Sequence, residues 1–312
     1  MRRNLFLMVV GLCFIFSLFL VNESFAQKWK IPFIIKNQTN QGFLDMQRAA
    51  KQVAEKEGVE LLAMAPIKPD NVEEQIRMIE DLIQKKVSAI IIVPADSLGI
   101  VPAIEKANNA GIPVIAANTR AFGGKVETFV AVENYEAALL QAEYMVKDLG
   151  GKGDIIIIEG VAASQTGQDR LRAYQDTLKK YPQIKVLASQ TAHFRRETGM
   201  QVMENLLQRF PKIEAVLSAN DSMSLGAIEA IDAAGRTSIK IYSFDCHRDA
   251  LKAIKAGKLT ITTDQNLWDQ GRLSMEAAIK ILKGEKIPSR IKTEPSIVNK
   301  DNVDKFIAKY GL

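Results

Sequence analysis

TRAFGGKVETFVAVE, residues 119–133, decides the fold because it interrupts an otherwise regular alternation. Apolar strands read at 29–36, 59–65, 88–94 and 112–118 before it, and at 154–160, 184–190, 213–219 and 239–245 after it. Amphipathic helices fill the intervals, near 43–57, 70–86, 97–110, 134–149, 167–180, 196–209, 222–234 and 247–256. The strands are continuous Ile/Val/Leu runs, which marks sheets covered on both faces. Strand–helix–strand repetition requires parallel pairing through right-handed crossovers. Eight such units can close into one barrel or lie in two open sheets. Within 119–133, a Gly123-Gly124 loop and a short extra strand at 128–132 replace the direct step from strand to helix. Past residue 258 the pattern changes again: the Thr-rich LTITTDQN (259–266) precedes a helix at 268–283. Extra elements halfway and at the end mark passages between two sheets. The expected fold is α/β, with two doubly wound Rossmann-like lobes rather than a barrel.

Composition sets the remaining bounds. The chain has 312 residues, 47% hydrophobic and 25% charged, enough for two domains. Its net charge of +5 is spread without a basic run of five, so nucleic acid is not an expected partner. Arg2 and Arg3 precede an apolar run, Leu5–Val21, and Ser24-Phe25-Ala26 is a small-x-small site. Residues 1–26 therefore read as a signal peptide cleaved before Gln27, with a membrane anchor as the alternative. Leu12 stands where lipid attachment at Cys13 would need a small residue. The mature chain keeps one cysteine, Cys246, and so no internal disulfide, as an exported, periplasmic protein.

In open parallel sheets, ligands bind outside the carboxyl ends of the strands. Those ends carry Lys36, Asn37, Gln38, Thr39, Asn40 and Phe43, then Pro94, Asp96 and Ser97, then Asn118, Thr119 and Arg120. The second half adds Ser164, Gln165, Thr166, Asp169 and Arg170, then His193 and Phe194, Asn220 and Asp221, Asp245, and Gln265. Amides, carboxylates, hydroxyls and guanidinium suit a polyhydroxylated ligand, because each hydroxyl both donates and accepts. Phe43 and Phe194 can cover the C–H faces of a sugar ring. Each residue also has a structural reading. Asp221 reads as the cap of its helix with Asn220 the ligand contact, and Thr166, Asp96 or Ser97 read as caps. Arg170 alone reads as a solvated charge, His193 as a surface residue, and the two Phe as core.

Catalytic signatures are missing: no GxSxG, HExxH, GxxxxGK[ST] or CxxC occurs, and two histidines are too few for most metal sites. No cofactor or metal is expected, and the chain is not expected to be an enzyme. GGKG at 150–153 follows a helix and precedes a strand, so it reads as a helix end and not a phosphate loop.

QTAHFRRETGMQVMENLL (190–207), VLSANDSMSLGAIEAIDAAGR (216–236), SFDCHRDALKAIKAGKLTITTDQNLWDQG (243–271) and AIKILKGEKI (278–287) resemble the ribose/galactose-type periplasmic sugar-binding proteins. The resemblance covers essentially the whole mature chain. It implies two lobes joined by three crossovers, near 130–134, 263–267 and 290–296. The N-terminal lobe would comprise 27–132 and 266–293, and the C-terminal lobe 133–265 and 294–312. A monosaccharide, polyol or related compound would sit between them and pass to an ABC transporter permease in the inner membrane. Motif by motif, its contacts fall on Lys36, Asn40, Gly42, Phe43, Asn118, Thr119, Thr166, Arg170, Phe194, Asn220, Asp245 and Gln265. Three departures stand out. Asn118-Thr119 replaces the Asp-Arg pair of ribose-binding members, Lys36 a serine, and Gly42 one of two stacking aromatics. Two alternatives remain open: a sensor presenting a sugar-like signal, such as a furanose autoinducer, to a chemoreceptor or sensor kinase, and a lyase using Lys36.

Overall fold

A computed structural model describes residues 29–310; the expected signal peptide at 1–26 lies outside them. The first sheet runs β1 (Lys30–Ile34), β2 (Glu60–Met64), β3 (Ile90–Ile92), β4 (Val114–Ala117) and β5 (Thr128–Val132) in chain order. Helices α1 (Gln41–Lys56), α2 (Val72–Gln84) and α3 (Val101–Asn109) connect its strands. The second sheet begins after α4 (Asn134–Asp148) with β6 (Gly153–Glu159), β7 (Ile184–Thr191), β8 (Ala215–Ser218), β9 (Lys240–Asp245) and β10 (Ile261–Asp264). Its connections are α5 (Gln165–Leu178), α6 (Arg196–Arg209), α7 (Asp221–Ala233) and α8 (Arg248–Lys255). The chain then returns through α9 (Leu267–Leu282) to β11 (Arg290–Thr293) and finishes with β12 (Ser296–Val298) and α10 (Val303–Lys309).

The spatial orders are β11-β5-β4-β3-β1-β2 and β12-β10-β9-β8-β6-β7. All pairs are parallel except β10 with β12. The short strand in 119–133 falls on β5, residue for residue. The chain passes between sheets after Val132, after Asp264 and between Thr293 and Ser296.

Alternate residues of each strand feed opposite faces. Ile31, Phe33 and Ile35 join Phe43 and Met46 of α1 and Met275 and Ile279 of α9, whereas Ile34, Ile90 and Ile92 join Ile79, Leu82 and Ile104. Each such side chain contributes about 1.5–3 kcal/mol by leaving water. Two helix pairs cross closely enough to require glycine. A Cβ on Gly271 would stand 2.1 Å from the Met46 carbonyl, and one on Gly226 2.0 Å from that of Arg196.

Local signals set the helix starts. The Asn40 side chain accepts from Gly42 N–H, Asn71 from Glu74 N–H and Ser164 from Gly167 N–H. The helix expected from 97 begins only at Val101. Pro102 fits its first turn, and Asp96 holds the preceding turn through Leu98 and Gly99 N–H. Gly150 and Gly151 end α4 in left-handed conformation, as GGKG suggested.

Candidate functional site

The carboxyl ends of the two sheets face each other, and the lobes meet there. Ser97 N–H donates to the Ala163 carbonyl at 3.1 Å, Ser97 Oγ accepts from Gln165 N–H at 2.9 Å, and Arg195 Nη2 donates to the Pro69 carbonyl at 3.1 Å. Between them Lys36, Asn40, Phe43, Asn118, Thr166, Arg170, Phe194, Asn220, Asp245 and Gln265 line a small cavity with a free volume of about 10 Å³. These are ten of the twelve contacts that the resemblance implied. Of the other two, Thr119 accepts from Lys36 Nζ at 3.1 Å, and Gly42 lines a neighbouring pocket beside Asp245.

Asp245, at the end of β9, is the hub. Asn40 Nδ2 reaches its Oδ2 at 3.3 Å from the opposite sheet, Arg170 Nη1 its Oδ1 at 3.5 Å, and Gln265 Nε2 also donates to Oδ1. His247 Nε2 stands 3.2 Å from Oδ2, at an ion-pair distance but without hydrogen-bond geometry. Arg170 is likewise fully engaged. Its Nε donates to Asn134 Oδ1 at 3.1 Å, Nη1 to the Ala219 carbonyl at 2.6 Å and Nη2 to Gln265 Oε1 at 3.4 Å. Its guanidinium also lies 3.7 Å from the Phe244 ring centre. Asn118 Nδ2 donates to Gln265 Oε1 at 2.9 Å and Gln270 Oε1 at 3.2 Å. Lys36 Nζ lies between two aromatic faces, 5.3 Å from the Phe43 centroid and 5.4 Å from that of Phe194.

Three of these residues hold strained backbone. Asn118 has φ +62°, Phe194 +59° and Asp245 +123°. Such conformations cost about 1–3 kcal/mol each and persist where surroundings over-determine them. Here they turn side chains into the cavity at strand ends.

Burial shapes the charges. It lowers the Lys36 ammonium to about 8, against the opposing field of Asp70, with Arg170 lowering it further. Burial alone would raise Asp245, but His247, Arg170 and Asn40 outweigh it and hold the carboxyl below its ordinary value. Burial would lower His247, but the Asp245 and Asp221 carboxylates outweigh it and raise the imidazole. Burial pushes the Cys246 thiol well up, which leaves it an unreactive packing group.

Some roles differ from the sequence reading. Asn220, not Asp221, caps α7: its Oδ1 accepts from Met223 N–H at 2.9 Å while the residue also borders the cavity. A capping side chain belongs to the extended residue before the helix, and Asp221 already lies within it. Asp221 instead accepts from His247 N–H and the Thr262 hydroxyl, each at 2.7 Å, fixing the turn that presents Asp245. Ser164 rather than Thr166 caps α5, which leaves Thr166 on the cavity wall. Arg170 is buried rather than solvated, while His193 and Arg120 are exposed. His247, Asn134 and Gln270 belong to the network but were not singled out for it; each supports a wall residue from behind.

Comparison with known proteins agrees with this fold. The profile of the periplasmic binding protein domain matches residues 31–286. The ribose import binding protein of Bacillus subtilis is 34% identical over 270 residues, 86% of this chain and 87% of that protein. A solute-binding protein of an ABC transporter from Actinobacillus succinogenes, solved with bound D-allose, superposes with TM-score 0.84 at 31% identity, over 89% of this chain and all of that one. One from Bacillus halodurans, solved with bound myo-inositol, gives 0.85 at 31%, over 91% of this chain and 98% of the other.

Proposed function

We propose a function that proceeds from one fact: the chain belongs to the periplasmic binding protein domain family. It is a solute-binding component of an ABC transporter and binds a monosaccharide, polyol or related small polar compound between its lobes. The observation that carries this reading is the wall of the cavity, where amide, carboxylate, hydroxyl and guanidinium groups from both sheets converge with two aromatic faces. Donors and acceptors in that mixture match vicinal hydroxyls, and the Phe faces match C–H surfaces. The ligand contacts are Lys36, Asn40, Phe43, Asn118, Thr119, Thr166, Arg170, Phe194, Asn220, Asp245 and Gln265. The lobes, 27–132 with 266–293 and 133–265 with 294–312, move as two bodies about the three passages of the chain. Ligand bridges them and selects the closed form, which an inner-membrane permease recognises in the periplasm. No bond is made or broken. Among the described residues no helix is long and apolar enough to cross a membrane.

Thermal unfolding of the purified protein against pentoses, hexoses, alditols, inositols and sugar acids tests this reading. A ligand at 100 times its Kd adds about 2.7 kcal/mol and raises the midpoint by several degrees. A panel that leaves the midpoint unmoved throughout argues against it.

A further inference from the structure

Lys36 differs from every other polar group on the cavity wall. The residue is 3% exposed, and the single hydrogen-bond partner of its side chain among the described residues is the neutral Thr119 hydroxyl. An ammonium carries three donors, so two N–H groups remain without a protein acceptor. The remaining ionised wall groups compensate each other. Asp245 already receives Arg170, Asn40 and Gln265, with His247 at ion-pair distance, and the Arg170 guanidinium is committed at all three nitrogens. Asp70 acts on Lys36 through space from outside the wall; its Oδ1 takes the Asn37 amide and it makes no ion pair with Lys36. The wall thus presents two cations and one carboxylate, and the cation with free donors is compensated only through space, by Asp70 behind the wall. A buried charge without a partner is costly, and a carboxylate is the partner whose lone pairs accept such donors best.

We infer that the ligand carries one carboxylate, an aldonic or uronic acid, whose oxygens take the free N–H groups of Lys36 while its hydroxyls meet Asp245, Arg170 and the amides. The inference rests on the solute-binding reading above and specifies the class of solute. A single negative charge neutralises the wall, whereas a phosphate, at about −1.5 to −2, would overshoot it.

Calorimetric titration of the whole mature protein tests this with matched sets: D-ribonate, D-xylonate, D-gluconate and D-galactonate beside their aldoses and alditols, and D-glucuronate and D-galacturonate beside their hexoses. The expected result is one acid bound at least about tenfold tighter than its neutral partners, with Lys36→Met erasing that gap. The wild-type ranking decides the matter even if the variant folds poorly. An aldose or alditol that binds as well as its acid overturns the carboxylate and leaves the solute-binding reading intact. An acid preference that survives in well-folded Lys36→Met overturns the assignment to Lys36. Absence of binding by all compounds overturns both readings.

Discussion

Lys36→Met removes an ammonium that sits in a poor place for a charge, so the substitution should strengthen the ligand-free fold. Lys36 ionises at about 8 in the folded protein, against an ordinary value of 10.5. At about 1.4 kcal/mol per pH unit, the ionised side chain costs about 3 kcal/mol of folding free energy at neutral pH. Methionine fills a similar volume without that cost. It leaves the Thr119 hydroxyl without its 3.1 Å donor, which returns about 1 kcal/mol. The net gain of about 2 kcal/mol corresponds to about 4–8 °C for a protein of this size. The folded value lies below the unfolded one, so the cost is fully present below about pH 8 and fades as the pH climbs towards 10.5. Calorimetric melting of both proteins at pH 7 and pH 10 should therefore show a clear gap at pH 7 and a small one at pH 10. A variant that melts below its parent at pH 7, or a gap that persists at pH 10, would refute the reasoning. Greater stability together with weaker ligand binding is the trade expected of a functional residue.

Asp245→Asn keeps the shape of the hub and removes its charge. Losing one charge-assisted hydrogen bond costs about 1.5–3 kcal/mol, so ligand affinity measured by calorimetry should fall about 10- to 150-fold. A Kd within twofold of the parent would show that the hub does not touch ligand. Gly160→Ala should weaken binding by driving the Phe194 ring from its seat, because the new Cβ would stand 2.1 Å from Phe194 Cζ. Unaltered affinity with a normal melting curve would mean the ring does not contact ligand. Saturating ligand should also reduce the radius of gyration in small-angle scattering, and an unchanged value would argue against hinge closure.

Much of this was legible from local pattern. Parallel strands buried on both faces leave continuous aliphatic runs, and β5 is delimited by Gly124 and Glu133, so its bounds could be read directly. Strand-end chemistry was equally readable, since topology alone brings those ends together. What the sequence hid depends on partners far along the chain. His247 matters because Asp245 stands beside it and Asp221, 26 residues earlier, binds its amide. Arg170 looked like a first-turn surface charge because Asn134 and Asp245, which bury it, lie 36 and 75 residues away. The cap fell to Asn220 rather than Asp221 because two adjacent capping residues can both serve, and only the φ of −162° at Asn220 decides between them. A signal for Asn134 and Gln270 did exist: each is an amide in the first turn of a helix that follows a strand end, as Asn40 is an amide just before one.

The late return of the chain bears on how the protein comes off the ribosome. Met275, Ala278 and Ile279 of α9 complete the apolar layer over β1, and β11 adds the outer strand beyond β5. A nascent chain of 260 residues therefore carries every strand of the second sheet's first five except the last, yet lacks the cover for the first sheet's opening strand. Vectorial synthesis cannot finish the earlier lobe before nearly the whole polypeptide has emerged, and the half made first is among the last to be sealed.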